Sequence, residues 1–189
     1  MKPVRTWLRG NCEKRTVLNL FAYTCAFSVA ALQGRAKKVV NIDMSTNSLA
    51  WGQENHRLNE LDSRAAVFLD CEIFRSWGKI RQSGPYDIVI IDPPSFQPGS
   101  FVAEKDYPRV MKKVAGVLSP QGVVIFALNS PRLDLGFIYD LVKTHLPLLE
   151  VAEVFDMPDY FSESDPDKEL KVVLYHRKSA SCPSNRASC

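Results

Sequence analysis

The residues best suited to chemistry stand in one run: Asp92, Pro93, Pro94, Ser95 and Phe96. They follow Tyr86-Asp87-Ile88-Val89-Ile90-Ile91, so an apolar, β-branched strand stops on an acid and two prolines. Proline fixes φ and has no N–H, so the strand cannot continue in a central sheet position. A carboxylate, unpaired backbone and an aromatic ring are left together at a strand's carboxyl end, which is where open α/β sheets bind ligands. The alternative is a plain strand terminator with a packing Phe.

Two further strands also end on aspartate. Lys38 to Asp43 and Ala65 to Asp70 are apolar runs that close on Asp43 and Asp70. Ahead of them, Thr16-Val17-Leu18-Asn19-Leu20-Phe21 reads as a first strand, followed by the loop Ala22-Tyr23-Thr24-Cys25-Ala26-Phe27. A dinucleotide enzyme carries Gly-x-Gly-x-x-Gly at this place, for a tight turn and close approach to pyrophosphate. Here no glycine stands between Gly10 and Gly34, and no Gly-Lys-Ser/Thr pattern occurs. A nucleoside without phosphates is the remaining common ligand of such a sheet, and S-adenosylmethionine (SAM) fits. Asp43 lies where an acid accepts hydrogen bonds from ribose hydroxyls. Asp70 is placed to accept from an adenine amino group, with Cys71 beside the ring. Each acid taken alone also suits a helix N-cap. Three successive strands ending on Asp predict a nucleoside pocket with a reaction site beside it.

The elements that position these residues alternate. Helices are predicted near Ala26 to Gln33 with Gly34 ending the first, from Ser45 or Thr46 as cap to about Leu58, through Phe74 and Trp77, from about Val102 to Leu118, and over Leu135 to His145. Gly122 to Leu128 is the fifth strand, and Glu150–Phe155 and Leu170–His176 are the last two. Such alternation implies an α/β, Rossmann-like, doubly wound and mostly parallel seven-stranded sheet. The last two strands are joined only by a polar loop, Asp156 to Lys168, so they are expected as an antiparallel hairpin at one edge. Residues 1–15 read as a short lead-in, 16–178 as the domain, and 179–189, small and Ser-rich, as a disordered tail.

The 189 residues, 46% hydrophobic and 24% charged, suit one globular domain with a substantial core. No apolar stretch is long enough to span a membrane and no secretory signal precedes the domain, so the expected location is cytoplasmic. The cysteines Cys12, Cys25, Cys71, Cys182 and Cys189 form no Cys-x-x-Cys pair, and His56, His145 and His176 are scattered. No metal site is expected. A net charge of +3 permits RNA contact without establishing it. Lys105, Arg109, Lys112 and Lys113 follow the Asp92 motif and read either as a solvated face or as a guide for RNA.

Val17-Leu18-Asn19-Leu20-Phe21-Ala22-Tyr23-Thr24, Val40-Asn41-Ile42-Asp43-Met44-Ser45, Glu54-Asn55-His56-Arg57-Leu58-Asn59 and Asp92-Pro93-Pro94-Ser95-Phe96 together resemble class I SAM-dependent methyltransferases. Within that class the chain is most similar to bacterial large-subunit (23S) rRNA methyltransferases, both the guanine-N7 half of a fused enzyme and the cytosine-C5 enzyme with a PUA domain. The resemblance covers about Val17 to Lys178. It implies SAM as cofactor, held by Asn19, Phe21, Tyr23, Thr24, Cys25, Asp43, Met44, Ser45, Asp70, Cys71 and Asp92. It implies RNA, 23S rRNA or its precursor, as partner. Asp92 and the Pro93 carbonyl, with Pro94 shaping the turn, would offer acceptors to the target base, and Phe96 would stack on it. The cytosine-C5 relative has its nucleophilic cysteine just after the fifth strand, whereas this chain has Asn129 there. Direct in-line transfer without a covalent intermediate is therefore expected. Protein-amide or small-molecule methylation, or an inactive SAM-binding fragment, are the alternatives. Two departures stand out. Cys25 occupies a place where these families often have glycine, and members usually carry an additional N-terminal domain, so an RNA-binding part preceding this segment is expected.

Overall fold

The computed structural model describes residues 1–94, 101–130, 132–156 and 170–178. These contain seven strands: β1 Thr16–Leu20, β2 Lys38–Asp43, β3 Ala66–Asp70, β4 Tyr86–Ile91, β5 Leu118–Leu128, β6 Leu149–Phe155 and β7 Lys171–Arg177. The α-helices among them are α1 Lys2–Asn11, α2 Ala26–Gln33, α3 Thr46–Leu58, α4 Trp77–Ser83, α5 Ala103–Val114 and α6 Leu135–His145. The strands form one sheet in the order β3-β2-β1-β4-β5-β7-β6. The first five are mutually parallel, and β7 runs antiparallel to both β5 and β6. This is the doubly wound, mostly parallel fold with an antiparallel C-terminal pair that the order of elements predicts.

Both faces of the sheet are covered, so its strands read as nearly continuous apolar runs. Alternation along each strand sorts the side chains. Leu18, Leu20, Val40, Ile42, Val89 and Ile91 pack with Ile80, Val110, Met111 and Ile138 from α4, α5 and α6. Val17, Val39, Ile88 and Ile90 pack on the other face with Val4 and Leu8 of α1 and Ala30 and Ala31 of α2. The N-terminal segment is thus part of the packed structure. No described helix is long and apolar enough to cross a membrane.

Three local differences from the expected elements have physical causes. Helix α5 ends at Val114 and β5 begins at Leu118, earlier than Gly122, because Tyr86 N–H donates to the Val117 carbonyl (2.8 Å) and Tyr86 pairs with Leu118, drawing this stretch into the sheet. The helix expected through Phe74 and Trp77 is divided into a 3-10 turn, Ile73–Arg75, and α4. Ser76 lies between them, and its hydroxyl donates to the Glu72 carbonyl (2.7 Å), the local bond with which serine competes against helix. Gly34 does follow α2, but with φ −80° it needs no left-handed freedom. Its missing side chain matters instead for packing, since a Cβ there would lie 2.7 Å from the Leu8 and Arg9 carbonyl oxygens of α1. The polar loop expected over residues 157–168 and the tail expected over 179–189 lie outside the described residues.

Candidate active site

Strand order reverses at β1, which has β2 on one side and β4 on the other. Loops leaving neighbouring strands at such a point diverge to opposite faces and open a crevice at the carboxyl edge. A cleft of about 620 Å³ lies there, within the range of small-molecule sites. Its walls come from five strand ends: Phe21 and Tyr23 after β1, Asp43, Met44, Ser45 and Ser48 after β2, Glu72, Ile73 and Phe74 after β3, Asp92, Pro93 and Pro94 after β4, and Asn129 after β5.

Asp43 is the fixed point of one half. One carboxylate oxygen accepts from Tyr23 N–H (2.8 Å) and the other from Ser45 N–H (2.9 Å). Each oxygen retains acceptor capacity, so the carboxylate is oriented and still able to receive vicinal hydroxyls. Ser45 caps α3 by accepting from Ser48 N–H at 3.1 Å, the role the sequence offered to it or to Thr46. The β1 loop is held from three directions. Ala22 N–H donates to the Ile42 carbonyl (3.0 Å), Asn55 of α3 donates to the Thr24 carbonyl (2.9 Å), and Asp43 takes Tyr23.

This loop is strained. Phe21, Tyr23 and Cys25 have φ of 59°, 46° and 62°, in the left-handed region that costs a non-glycine residue about 1–2 kcal/mol. Cys25 therefore stands where glycine would be relaxed, which matches the departure seen in the sequence. Its buried sulfur fills the space left by another glycine: a Cβ on Gly52 of α3 would lie 2.6 Å from Cys25 Sγ. Gly52→Ala should destabilise the protein by about 1–3 kcal/mol through this overlap. In a Cys25→Gly background the sign should reverse, because alanine is favoured over glycine inside a helix by about 1 kcal/mol. Denaturant melts of the four proteins check this, and equal effects of Gly52→Ala in both backgrounds would refute the Cys25–Gly52 contact.

The other half is built around Asp92. Burial pushes its carboxyl up to about 6, with the amino terminus of the chain opposing the shift. Behind it stand aromatic rings in edge-to-face contact: Phe21–Phe101 at 5.0 Å, Phe101–Tyr107 at 5.3 Å and Tyr107–Phe137 at 6.1 Å between centroids. The buried Tyr107 hydroxyl donates to the Ala127 carbonyl, bracing β5 just before Asn129. Burial and the nearby Asp92 raise the Tyr107 pKa well above the usual phenol range, so this hydroxyl stays a donor.

Of the residues singled out in the sequence, Phe21, Tyr23, Asp43, Met44, Ser45, Asp92, Pro93, Pro94 and Asn129 line one cleft. Asn19, Thr24, Cys25, Asp70 and Cys71 are outside its lining. Asn19 alternates with Leu18 and Leu20 and so faces the α2 side, where it donates to Asn41 (3.0 Å); Asn41 in turn donates to Ser28, which is bonded to the buried His56. Asp70 is exposed, its carboxylate 3.5 Å from the Thr46 hydroxyl, and the Cys71 N–H is taken by the Asp43 carbonyl at 3.0 Å. Phe96 lies outside the described residues. Ser48, Glu72, Ile73 and Phe74 are wall residues the sequence reading passed over. Their signal was position: three directly follow the end of a strand, and Ser48 is one turn into the helix capped by Ser45.

With the geometry in place, comparison with known proteins is specific. A family model described as S-adenosylmethionine-dependent methyltransferase matches residues 1–176. The chain is 33% identical to "Putative ribosomal RNA large subunit methyltransferase YwbD" of Bacillus subtilis (strain 168), over 94% of this chain and 48% of that protein. It is 36% identical to ribosomal RNA large subunit methyltransferase K/L of Psychrobacter cryohalolentis, over 71% of this chain and 18% of that protein. Among solved structures, SMU.776 complexed with SAH (S-adenosylhomocysteine) superposes with a TM-score of 0.86 at 29% identity, covering 93% of this chain and 48% of that one. The chain spans about half the length of the first relative and about a fifth of the second. The match over nearly the whole sequence shows that the chain belongs to the S-adenosylmethionine-dependent methyltransferase family.

Proposed function

We propose that this chain methylates a base of large-subunit ribosomal RNA by direct, in-line transfer to a base nitrogen, with no covalent bond between enzyme and RNA. The observation that carries this reading is the part of the cleft lining that follows β4 and β5. Asp92, Pro93, Pro94 and Asn129 line it together, and no described cysteine does. The names of the two relatives supply the substrate class. A ribosomal RNA substrate implies a cytoplasmic place of action.

The cleft residues fit SAM. Asp43, already oriented by two backbone N–H groups, has acceptor capacity left for the ribose hydroxyls. Met44, Ile73 and Phe74 provide apolar surface for the adenine. When bound, the cofactor supplies a methyl group activated by a sulfonium. This chain then has only to hold the acceptor atom in line with it, so positioning supplies most of the catalysis. Asp92 and the Pro93 carbonyl take N–H groups of the target base, and Asn129 offers a further donor and acceptor. A base in a duplex must first be extruded into the site.

Cytosine-C5 chemistry would require a thiolate. Burial pushes the Cys12 and Cys25 thiols up to about 12, so both stay protonated at neutral pH. Because no described cysteine lines the cleft, incubation with SAM and RNA containing 5-fluorocytosine should yield no protein–RNA adduct. Labelled SAM should transfer its methyl group to ribosomal RNA from a strain lacking the modification, and none to ribosomal protein. An adduct through any cysteine, or label in protein alone, would overturn the proposal.

A further inference from the structure

Helix α5 follows the Asp92 turn in the chain, yet one of its residues contacts the wall that follows β3. The guanidinium carbon of Arg109 lies 3.9 Å from the centroid of the Phe74 ring, and Phe74 lines the cleft just after β3. A guanidinium nitrogen is 2.7 Å from Asp106. Asp106 is buried, and its second oxygen accepts from Val102 N–H at 2.8 Å. Arg109 is thus held from one side by a carboxylate that also closes the first turn of α5, and rests on an aromatic face on the other. Arg109 is itself half-exposed. Lys105, Lys112 and Lys113 are exposed on the same helix.

The orientation of the nucleoside gives the contact its meaning, and this step rests on the proposed SAM site. Asp43, for the ribose, comes from β2, which lies between β3 and the β1–β4 half of the sheet. With the reacting methyl toward Asp92, the adenine points the other way, to the loop after β3. We propose that Arg109 is a positioning residue that holds Phe74 as the wall against which the adenine packs. It acts from the helix that follows the substrate turn, so cofactor affinity is tied to the ordering of α5. A cation over an aromatic ring contributes about 0.5–1 kcal/mol at a partly exposed site, which sets the size of the effect.

Calorimetric titration of SAH into the full chain tests this. Arg109→Ala should raise the SAH dissociation constant about 2- to 5-fold, with a smaller change in kcat at saturating SAM and a lower melting temperature, because the buried Asp106 loses its ion-pair partner. Arg109→Met, which keeps the apolar stem and removes the charge, should show the same loss. In a Phe74→Leu background, Arg109→Ala should add almost nothing, because its route to the cofactor is gone. An unchanged dissociation constant in both folded Arg109 variants, or an equal loss with and without Phe74, would overturn the proposal. Failure of the wild-type chain to bind SAH would overturn the cofactor site itself and the proposal with it, an outcome distinct from the other two.

Discussion

Asp92→Ala should lower kcat by about 10²- to 10³-fold, the scale for loss of one preorganised polar group at a reacting centre, while leaving SAH affinity nearly intact. The carboxylate directly follows β4, whereas the aspartate assigned to the ribose ends β2 and the wall Glu72-Ile73-Phe74 follows β3. In the proposed reading its contacts fall on the substrate. The same variant should melt no lower than wild type at pH 7.5. A carboxyl raised to about 6 by burial binds its proton more tightly folded than unfolded. Its contribution to stability is present at low pH and is lost as pH rises through about 6. At pH 7.5 the ionised group is a net cost, which alanine removes. Activity runs the other way. Wild-type kcat should fall as pH drops through about 6, where the carboxylate gains a proton and loses acceptor capacity. Asp92→Asn should show no titration in this range. A single-turnover pH profile with melting curves separates these effects. A fully active Asp92→Ala enzyme would place the chemistry elsewhere.

Asp43→Ala should weaken SAH binding about 10- to 100-fold, from lost charge-assisted hydrogen bonds worth about 1.5–3 kcal/mol. Two causes act together. The acceptors for the ribose hydroxyls disappear, and the N–H groups of Tyr23 and Ser45 lose the carboxylate that ties the first two strand-end loops together. Because the β1 loop holds three residues at positive φ, losing one of its anchors also frees it to relax. Asp43→Asn should not restore affinity, since its amide nitrogen cannot accept from the N–H it would face. Isothermal titration calorimetry checks the affinity, and kcat at saturating SAM should fall less than affinity does. Wild-type affinity in Asp43→Ala would show that the cofactor lies elsewhere in the cleft.

What could be read from the sequence follows from range. The apolar runs ending on Asp43 and Asp92, the helices between them and the unbridged last two strands are local signals, and they suffice for the sheet and the place of the cleft. Facing and distance are not local. Asn19 belongs to a motif that resembles cofactor-binding strands, but its own position in the β1 alternation turns it toward α2. Asp70 ends a strand as Asp43 does, yet the chain turns after it so that Glu72, Ile73 and Phe74 form the wall. Cys25 could be recognised as standing for a glycine. Its partner Gly52 on α3 is visible only once the helix is packed. The clamp of Arg109 on Phe74 joins two elements separated by a whole strand, and no spacing rule connects them.

The most direct measurement is nucleoside mass spectrometry of large-subunit ribosomal RNA after reaction with the chain and isotopically labelled SAM. The expected product is one methylated nucleoside with the label on a base nitrogen, absent when Asp92→Ala replaces the wild type. Label on cytosine C5, on a ribose hydroxyl, or undiminished in Asp92→Ala would contradict direct transfer at the Asp92–Asn129 end of the cleft.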